Sequence, residues 1–545
     1  MIPPVRARLS LSKIFPAVLF FGLLAMTARP AVDPDLWWHL RTGQWIMETG
    51  HIPHVDPFSF TRAGSPWVAH EWLSEVTFYE IWKYSGEAGL IIFSAIVTTA
   101  GFMLLYLRSL GKASWTAAVV TLGALASAPT WGVRPQMFTF ALASLLLWLL
   151  ESGWEKPRLL LWIPPLFLLW LNLHAGFAFG PVLLVAFCLG LIAESAIGET
   201  PWTKIRPRLF HVLLVLMACV ALVPLNPSGA QLYRYPLDVL RSAGMRSFII
   251  EWFPPDFHQL HYLPLFLIWL ALLGALASSR NRPKARALVP LLMTFLAALD
   301  AVRHIPLLVL TATPVIAVAA FRGFSPWKQI SSSQTAAANR VRFAFRAAIL
   351  LLMAGFAVTR WTNLVHKQAR TEADLFPTQA VEFLHSHTIP SRLFVYYDWG
   401  GYAIWKLYPQ YRVFVDGRAD LYGDDLLRQF QKASQLRNGW EQVLDRWRLE
   451  AVLVPPSGAL AQSLLLDDRW HVEFRDSHAI LFLSTPRSTK VAGCRESYPA
   501  GHKAKKCVPD PSESAKLHAT RISPTAARNR SCAQAMMRYH VWGLS

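Results

Sequence analysis

The sequence predicts an α-helical polytopic membrane protein of about eleven spans, with a small C-terminal α/β extracytoplasmic domain. Three observations predict it. The 545-residue chain is 53% hydrophobic and only 16% charged, with a mean hydropathy of +0.31, too apolar for an ordinary soluble protein. Apolar runs near the roughly 20 residues that a spanning helix needs recur down to about residue 361. From 376 to 485 they give way to short alternating helix-like and strand-like runs.

The apolar stretches are approximately 14–29, 88–107, 113–129, 136–150, 159–172, 175–194, 209–225, 262–279, 287–300, 305–321 and 343–361. Basic residues decide their sidedness. Arg6, Arg8 and Lys13 precede the first stretch. Arg108 and Lys112 follow the second, Lys156 and Arg158 the fourth, and Lys204, Arg206 and Arg208 the sixth. Arg280, Arg282, Lys284 and Arg286 follow the eighth, and Arg322, Lys328, Arg340 and Arg342 the tenth. All lie on one side if the N-terminus is cytoplasmic, where short loops carry excess Lys and Arg. The expected setting is the cytoplasmic (inner) membrane, with the C-terminal domain extracytoplasmic. The first stretch also has the basic start and short apolar centre of a signal peptide, an alternative the sequence leaves open.

This topology accounts for the formal net charge of +19, so no nucleic-acid partner is expected. The 23 Trp suit helix ends that need interfacial anchors. Cys188, Cys219, Cys494, Cys507 and Cys532 show neither metal spacing nor a disulfide framework.

The same topology puts the loops 30–87, 130–135, 173–174, 226–261 and 301–304 outside. The first opens on Asp33-Pro34-Asp35-Leu36-Trp37-Trp38-His39. Charged groups beside hydrocarbon are costly, so this cluster reads as a functional site. Asp33 before Pro34 is equally a good helix cap, though a cap leaves Asp35 and the Trp-Trp-His run unexplained. The loop reads as a helical hairpin along the membrane surface. One helix runs from Asp33 to Gly50, and the other from Ser65-Pro66 to near Gly86. On the second, Glu71 and Glu75 share a face and His70 precedes them. The other loops supply Arg134, then Asn172 and His174, then Asn226 with Arg234, Arg241, Arg246 and Glu251, and last Arg303 and His304. Each could be an ordinary polar turn. Five on one face, all bearing amide, imidazole or guanidinium groups, point to a shared site.

In the C-terminal domain, strands are expected at 393–397, 411–415, 451–454, 472–474 and 480–483, and helices near 377–386, 424–434 and 439–448. Asp398-Trp399-Gly400-Gly401-Tyr402 and Val415-Asp416-Gly417-Arg418-Ala419-Asp420-Leu421-Tyr422 follow strands, where open α/β sheets place their sites. The plainer alternative is a pair of turns with Gly in the left-handed region. From 486 onward the aperiodic polar tail reads as disordered.

The outer face meets the needs of glycosyl transfer from a polyprenyl-phosphate sugar. A carboxylate must take the acceptor's proton, and cations must hold the departing phosphate. Asp33, Asp35 and Glu71 are the catalytic candidates. Arg134, Arg241 and Arg303 can grip phosphate. Trp37, Trp38 and His39 would frame the acceptor, and His70, Asn172, His174, Asn226 and His304 complete the polar surface. A metal on Asp33 and Asp35 would be Mg²⁺ or Mn²⁺, which favour oxygen ligands.

An acidic motif just beyond a first span, a first outer loop of surface helices and many further spans resemble the GT-C superfamily of membrane glycosyltransferases. That group includes protein O-mannosyltransferases, aminoarabinose transferases and oligosaccharyltransferase catalytic subunits. Within it, residues 1–360 are most similar to the bacterial lipopolysaccharide-core galacturonosyl- and mannosyltransferase type. The resemblance implies Asp33 or Asp35 as the first-loop acid, Glu71 as a second, a lipid-linked donor, and a glycan, lipid or protein acceptor. The chain reads Asp-Pro-Asp where such families often show Asp-Glu or Gly-Asp-Glu.

Two readings from other classes compete: a transporter and a non-catalytic envelope scaffold. Transporters place polar groups near mid-membrane in broken helices, whereas here they gather at one end of clean spans.

Overall fold

The structure is a computed structural model, and it describes residues 11–109, 111, 113–278, 283–323 and 336–485. The tail from 486 and the basic residues Arg6, Arg8, Lys112, Arg280, Arg282 and Lys328 lie outside the described residues.

The helical part comprises α1 (Leu11–Thr27), α2 (Pro34–Thr49), α3 (Trp72–Arg108), α4 (Ala113–Ser127), α5 (Gln136–Ser152), α6 (Ile163–Leu173), α7 (Phe179–Ala196), α8 (Trp202–Leu222), α9 (Gln231–Arg241), α10 (Ala243–Phe248), α11 (Leu263–Ser278), α12 (Ala285–Asp300), α13 (Ile305–Gly323) and α14 (Ala336–Leu375). A helix lies on each of the eleven apolar stretches. Among the described residues, six helical segments are long and apolar enough to cross a membrane, and three shorter apolar ones accompany them.

Residues 30–87 depart from the expected pair of surface helices. Its second helix begins at Trp72, not Ser65. Pro66 lacks an amide hydrogen and disfavours helix at the residue before it. The chain there is extended and bridges Val55 to Pro66. Gly86 does not end the helix: at φ 59° it bends α3, which continues to Arg108. Nor does α2 lie free on a surface. Leu36, Trp37, Trp38, His39 and Leu40 are buried, and the helix is packed against α3 and the C-terminal sheet domain.

That domain adds α15 (Thr378–Ser386), β1 (Arg392–Val395), α16 (Gly400–Leu407), β2 (Arg412–Val413), α17 (Ala419–Ser434), α18 (Trp440–Arg446), β3 (Ala451–Val454), α19 (Ala459–Leu464), β4 (Trp470–Arg475) and β5 (Ile480–Ser484). The sheet order is β2-β1-β3-β5-β4. The first three strands are parallel, and β5 runs antiparallel to both neighbours. Gly400 and Gly401 start α16 rather than a left-handed turn. A Cβ on Gly401 would stand 2.7 Å from the Pro34 carbonyl, so a side chain there would push the domain off α2.

A buried charge network fastens the loop between α2 and α3 to the sheet domain. Arg418 Nη1 lies 2.8 Å from Asp56 Oδ1, and its Nη2 lies 2.7 Å from Asp416 Oδ2. Its guanidinium sits over Phe58 and Trp67. Buried charges persist only when paired in this way, and removing one partner would leave the others stranded.

Candidate active site

The Asp33 side chain is the N-cap of α2: Oδ1 accepts from the Asp35 amide at 3.0 Å. Capping uses one oxygen. The other, Oδ2, lies 3.4 Å from Arg134 Nε. Asp35 Oδ1 accepts from Trp38 Nε1 at 3.2 Å, and its Oδ2 lies 3.8 Å from Arg134 Nη1. Arg134 also pairs with Glu251 through Nη2. Three carboxylates thus surround one guanidinium and keep it protonated despite burial. The sheet domain closes over this group at Gly417, where a Cβ would stand 2.0 Å from Asp35 Oδ1.

Asp35 differs from its neighbours in exposure and charge. Its side chain is 34% exposed, against 10% for Asp33. Burial of the carboxyl and the adjacent Asp33 charge push it up to about 8, against the pull of Arg134.

A second acid, Glu71, sits in a cage of imidazoles. Its Oε1 lies 3.3 Å from His70 Nε2 and 3.6 Å from His174 Nε2, and its Oε2 lies 3.6 Å from His39 Nε2. It also accepts from the Ala175 amide at 3.2 Å. Glu75 Oε1 lies 3.5 Å from His39 Nδ1. Hydrogen bonding assigns the protons. His174 Nδ1 accepts from the Gly176 amide at 3.0 Å, so the neutral ring carries its hydrogen on Nε2, toward Glu71. His70 Nδ1 faces the Val68 carbonyl at 3.0 Å and its Nε2 lies 3.3 Å from the Glu71 carboxylate, a pair of acceptors that favours the protonated ring. The electrostatics agree. Burial lowers His39 to about 3 and His174 to about 4, whereas at His70 the Glu71 carboxylate outweighs burial and the shift is upward. Burial alone would raise Glu71, but the surrounding imidazoles hold it below the usual carboxylate range. Of the three imidazoles, His70 is the one whose charged form the Glu71 carboxylate favours over burial.

Arg303 adjoins both groups, with Glu251, Arg134, Tyr235 and Glu71 among its charged or ionisable neighbours. It stacks on Trp252 at 4.4 Å and, among the described residues, has no ion-pair partner. Tyr235 packs on His70 at 4.4 Å between ring centres and neighbours Asp420, which burial pushes upward.

Several expected substrate groups serve the scaffold instead. Trp37 is fully buried, edge-on to Phe376 and Tyr402, and cannot frame an acceptor. Asn226 Nδ2 donates to the carbonyls of His70 and Leu171 and to Asn172 Oδ1, which also accepts from Trp72 Nε1 at 2.7 Å. These two amides bind loop to loop. Arg241 is exposed, and none of the ion pairs or hydrogen bonds above involves it. His304 turns its Nδ1 to the Ala297 carbonyl at 3.0 Å. Metal binding fits poorly. Arg134 occupies the cation position between Asp33 and Asp35, and no group of three or more His, Cys, Asp or Glu suited to a metal occurs among the described residues.

Sequence reasoning passed over Tyr235, Glu251 and Asp420 as site residues. Asp420 had a signal, since it lies within a motif placed after a strand. Tyr235 had none, because only the fold of α9 brings it to His70.

No family model and no curated protein matches the sequence. Among solved structures, the chain is similar to the archaeal oligosaccharyltransferase AglB from Archaeoglobus fulgidus in complex with an inhibitory peptide and a dolichol-phosphate. The identity is 11%, over 87% of this chain and 74% of that one, with a TM-score of 0.49. It is also similar to ArnT from Cupriavidus metallidurans bound to undecaprenyl phosphate, at 14% identity over 87% and 97% of the two chains and a TM-score of 0.46.

Proposed function

We propose that this chain is a membrane glycosyltransferase that moves a sugar from a polyprenyl-phosphate donor to a cell-envelope acceptor at the extracytoplasmic face. One juxtaposition carries the reading: a partly exposed acid, Asp35, held near the physiological range, and an unpaired guanidinium, Arg303, linked to it through Arg134 and Glu251. In its ionised form Asp35 takes the proton of the acceptor hydroxyl. The acceptor oxygen forms a bond to the anomeric carbon as that carbon's bond to the phosphate oxygen breaks. The electron pair leaves with polyprenyl phosphate, and Arg303 grips the departing oxygens. Asp33 and Arg134 hold Asp35 in place. The His70–Glu71 pair holds the second wall.

The test uses the full chain in lipid nanodiscs, with undecaprenyl-phosphoryl hexoses as donors and methyl hexosides as acceptors. Wild-type protein is expected to form glycoside and release undecaprenyl phosphate, and Asp35→Asn to form neither. Equal transfer by wild type and Asp35→Asn would remove Asp35 as the base.

A further inference from the structure

The sheet domain brings to the site a hydroxyl that nothing in the fold uses. Tyr397 follows β1. Its Oη is shielded from solvent and has no hydrogen-bond partner among the described residues. Its ring is fixed, edge-on to Phe248 at 4.8 Å and tilted against Phe430 at 5.9 Å. The next turn of chain carries Gly401, which seats the domain on α2, and Gly417 of the neighbouring loop touches Asp35. Asp35 is the strongest charged neighbour of the phenol.

A buried hydroxyl without a partner forfeits its hydration and gains nothing in return. Phenylalanine would fill the same space at no such cost. A tyrosine here therefore points to a ligand that supplies the missing partner.

We propose that Tyr397 is an acceptor-binding residue: its hydroxyl donates to the same acceptor oxygen whose proton Asp35 removes, which makes the sheet domain one wall of a subsite for a hydroxyl-bearing glycan. Two groups on one oxygen fix its direction. Tyr397 takes a lone pair, Asp35 takes the proton, and the remaining lone pair faces the donor's anomeric carbon. This inference rests on the glycosyltransferase reading above and adds the side from which the acceptor enters.

The test is Tyr397→Phe in the full chain in nanodiscs, with methyl hexosides as the acceptor probe and undecaprenyl phosphate as the donor-side probe. Methyl hexoside binding is expected to weaken by about three- to tenfold, as for one lost hydrogen bond. Undecaprenyl phosphate binding is expected to stay unchanged, and the unfolding temperature to stay level or rise. A structural role predicts the reverse, a lower unfolding temperature. Unaltered methyl hexoside binding by Tyr397→Phe, with saturable undecaprenyl phosphate binding in both proteins, would overturn the inference and leave the enzyme reading standing; water alone then caps the phenol. Absence of saturable undecaprenyl phosphate binding by wild type would remove both.

Discussion

The acid pair at the start of α2 and the imidazole cage at the start of α3 make an instructive contrast. Asp35 and Glu71 both lie at helix starts, beside a basic partner, at the same end of the molecule. Glu71 meets three imidazoles and a backbone amide, so each of its oxygens is engaged and its charge is stabilised. Asp35 meets one indole and a guanidinium shared among three carboxylates, and is left partly exposed and easily protonated. A fully satisfied acid holds structure. An acid short of partners, with its proton affinity raised toward neutrality, is equipped to exchange protons.

The largest expected effect tests the working half. Asp35→Asn should lower transfer by about 10²–10⁴-fold, the usual share of a general base. Wild-type kcat/KM should rise with pH and level off above about 8, where Asp35 is ionised. Stability should move the other way. Between 3.8 and about 8 the folded protein keeps a proton that the unfolded chain releases, so stability falls as pH rises. Asp35→Asn should flatten that slope in thermal melts while abolishing turnover. An unchanged slope would show that Asp35 ionises normally and would weaken its claim to be the base.

Next in size is the cation. Arg303→Ala should weaken undecaprenyl phosphate binding by about tenfold to a hundredfold, as expected for hydrogen bonds to a charged group. Arg303→Lys should recover only part of it, because a single ammonium cannot reproduce the forked contact. Full recovery with Lys would reduce Arg303 to a general positive charge.

How much of this was legible in the sequence follows from what each signal measures. Hydropathy and basic loops located the helices, because burial in lipid leaves a compositional trace. The Asp-Pro-Asp motif and Glu71 stood out because charge is rare in such surroundings. Side-chain direction left no trace: Trp37 and Trp38 are adjacent in sequence, yet one is sealed between Phe376 and Tyr402 while the other reaches Asp35. Asn172 and Asn226 looked like ligand groups because an amide's partner cannot be read from its spacing. The glycines after β1 and β2 were visible as glycines. What Gly401 and Gly417 approach, the start of α2, is a contact across more than 350 positions.

A smaller effect probes the cage. Glu71→Gln keeps the shape and removes the charge that raises His70. In the wild type, the Glu71–His70 pair contributes fully between the unfolded-state values of 4.5 for Glu71 and 6.5 for His70. The contribution of His70, whose value is raised, fades as pH climbs past its folded-state value; that of Glu71, whose value is lowered, fades only in acid. Glu71→Gln should therefore melt lower near pH 6 and keep only that part of the decline with rising pH that Asp35 contributes, while transfer falls less than in Asp35→Asn. Inactivation as complete as in Asp35→Asn, with the fold intact, would erase the division between working and structural acids.

The smallest expected effect falls on the residue where the sequence and the structure disagree most plainly. Arg241 carries the guanidinium that suits phosphate and sits in a loop region with other basic residues, which made it as good a candidate as Arg303. In the structure it ends α9 with its side chain exposed, while Tyr235 on the same helix is turned to His70. An exposed charge is screened by water and salt, so Arg241→Ala should change donor binding and stability by no more than about twofold. Donor affinity measured for Arg241→Ala beside Arg303→Ala separates position from residue type. A loss at Arg241 equal to that at Arg303 would mean that α9 swings toward the phosphate during turnover, and the boundary drawn here around the site would have to include it.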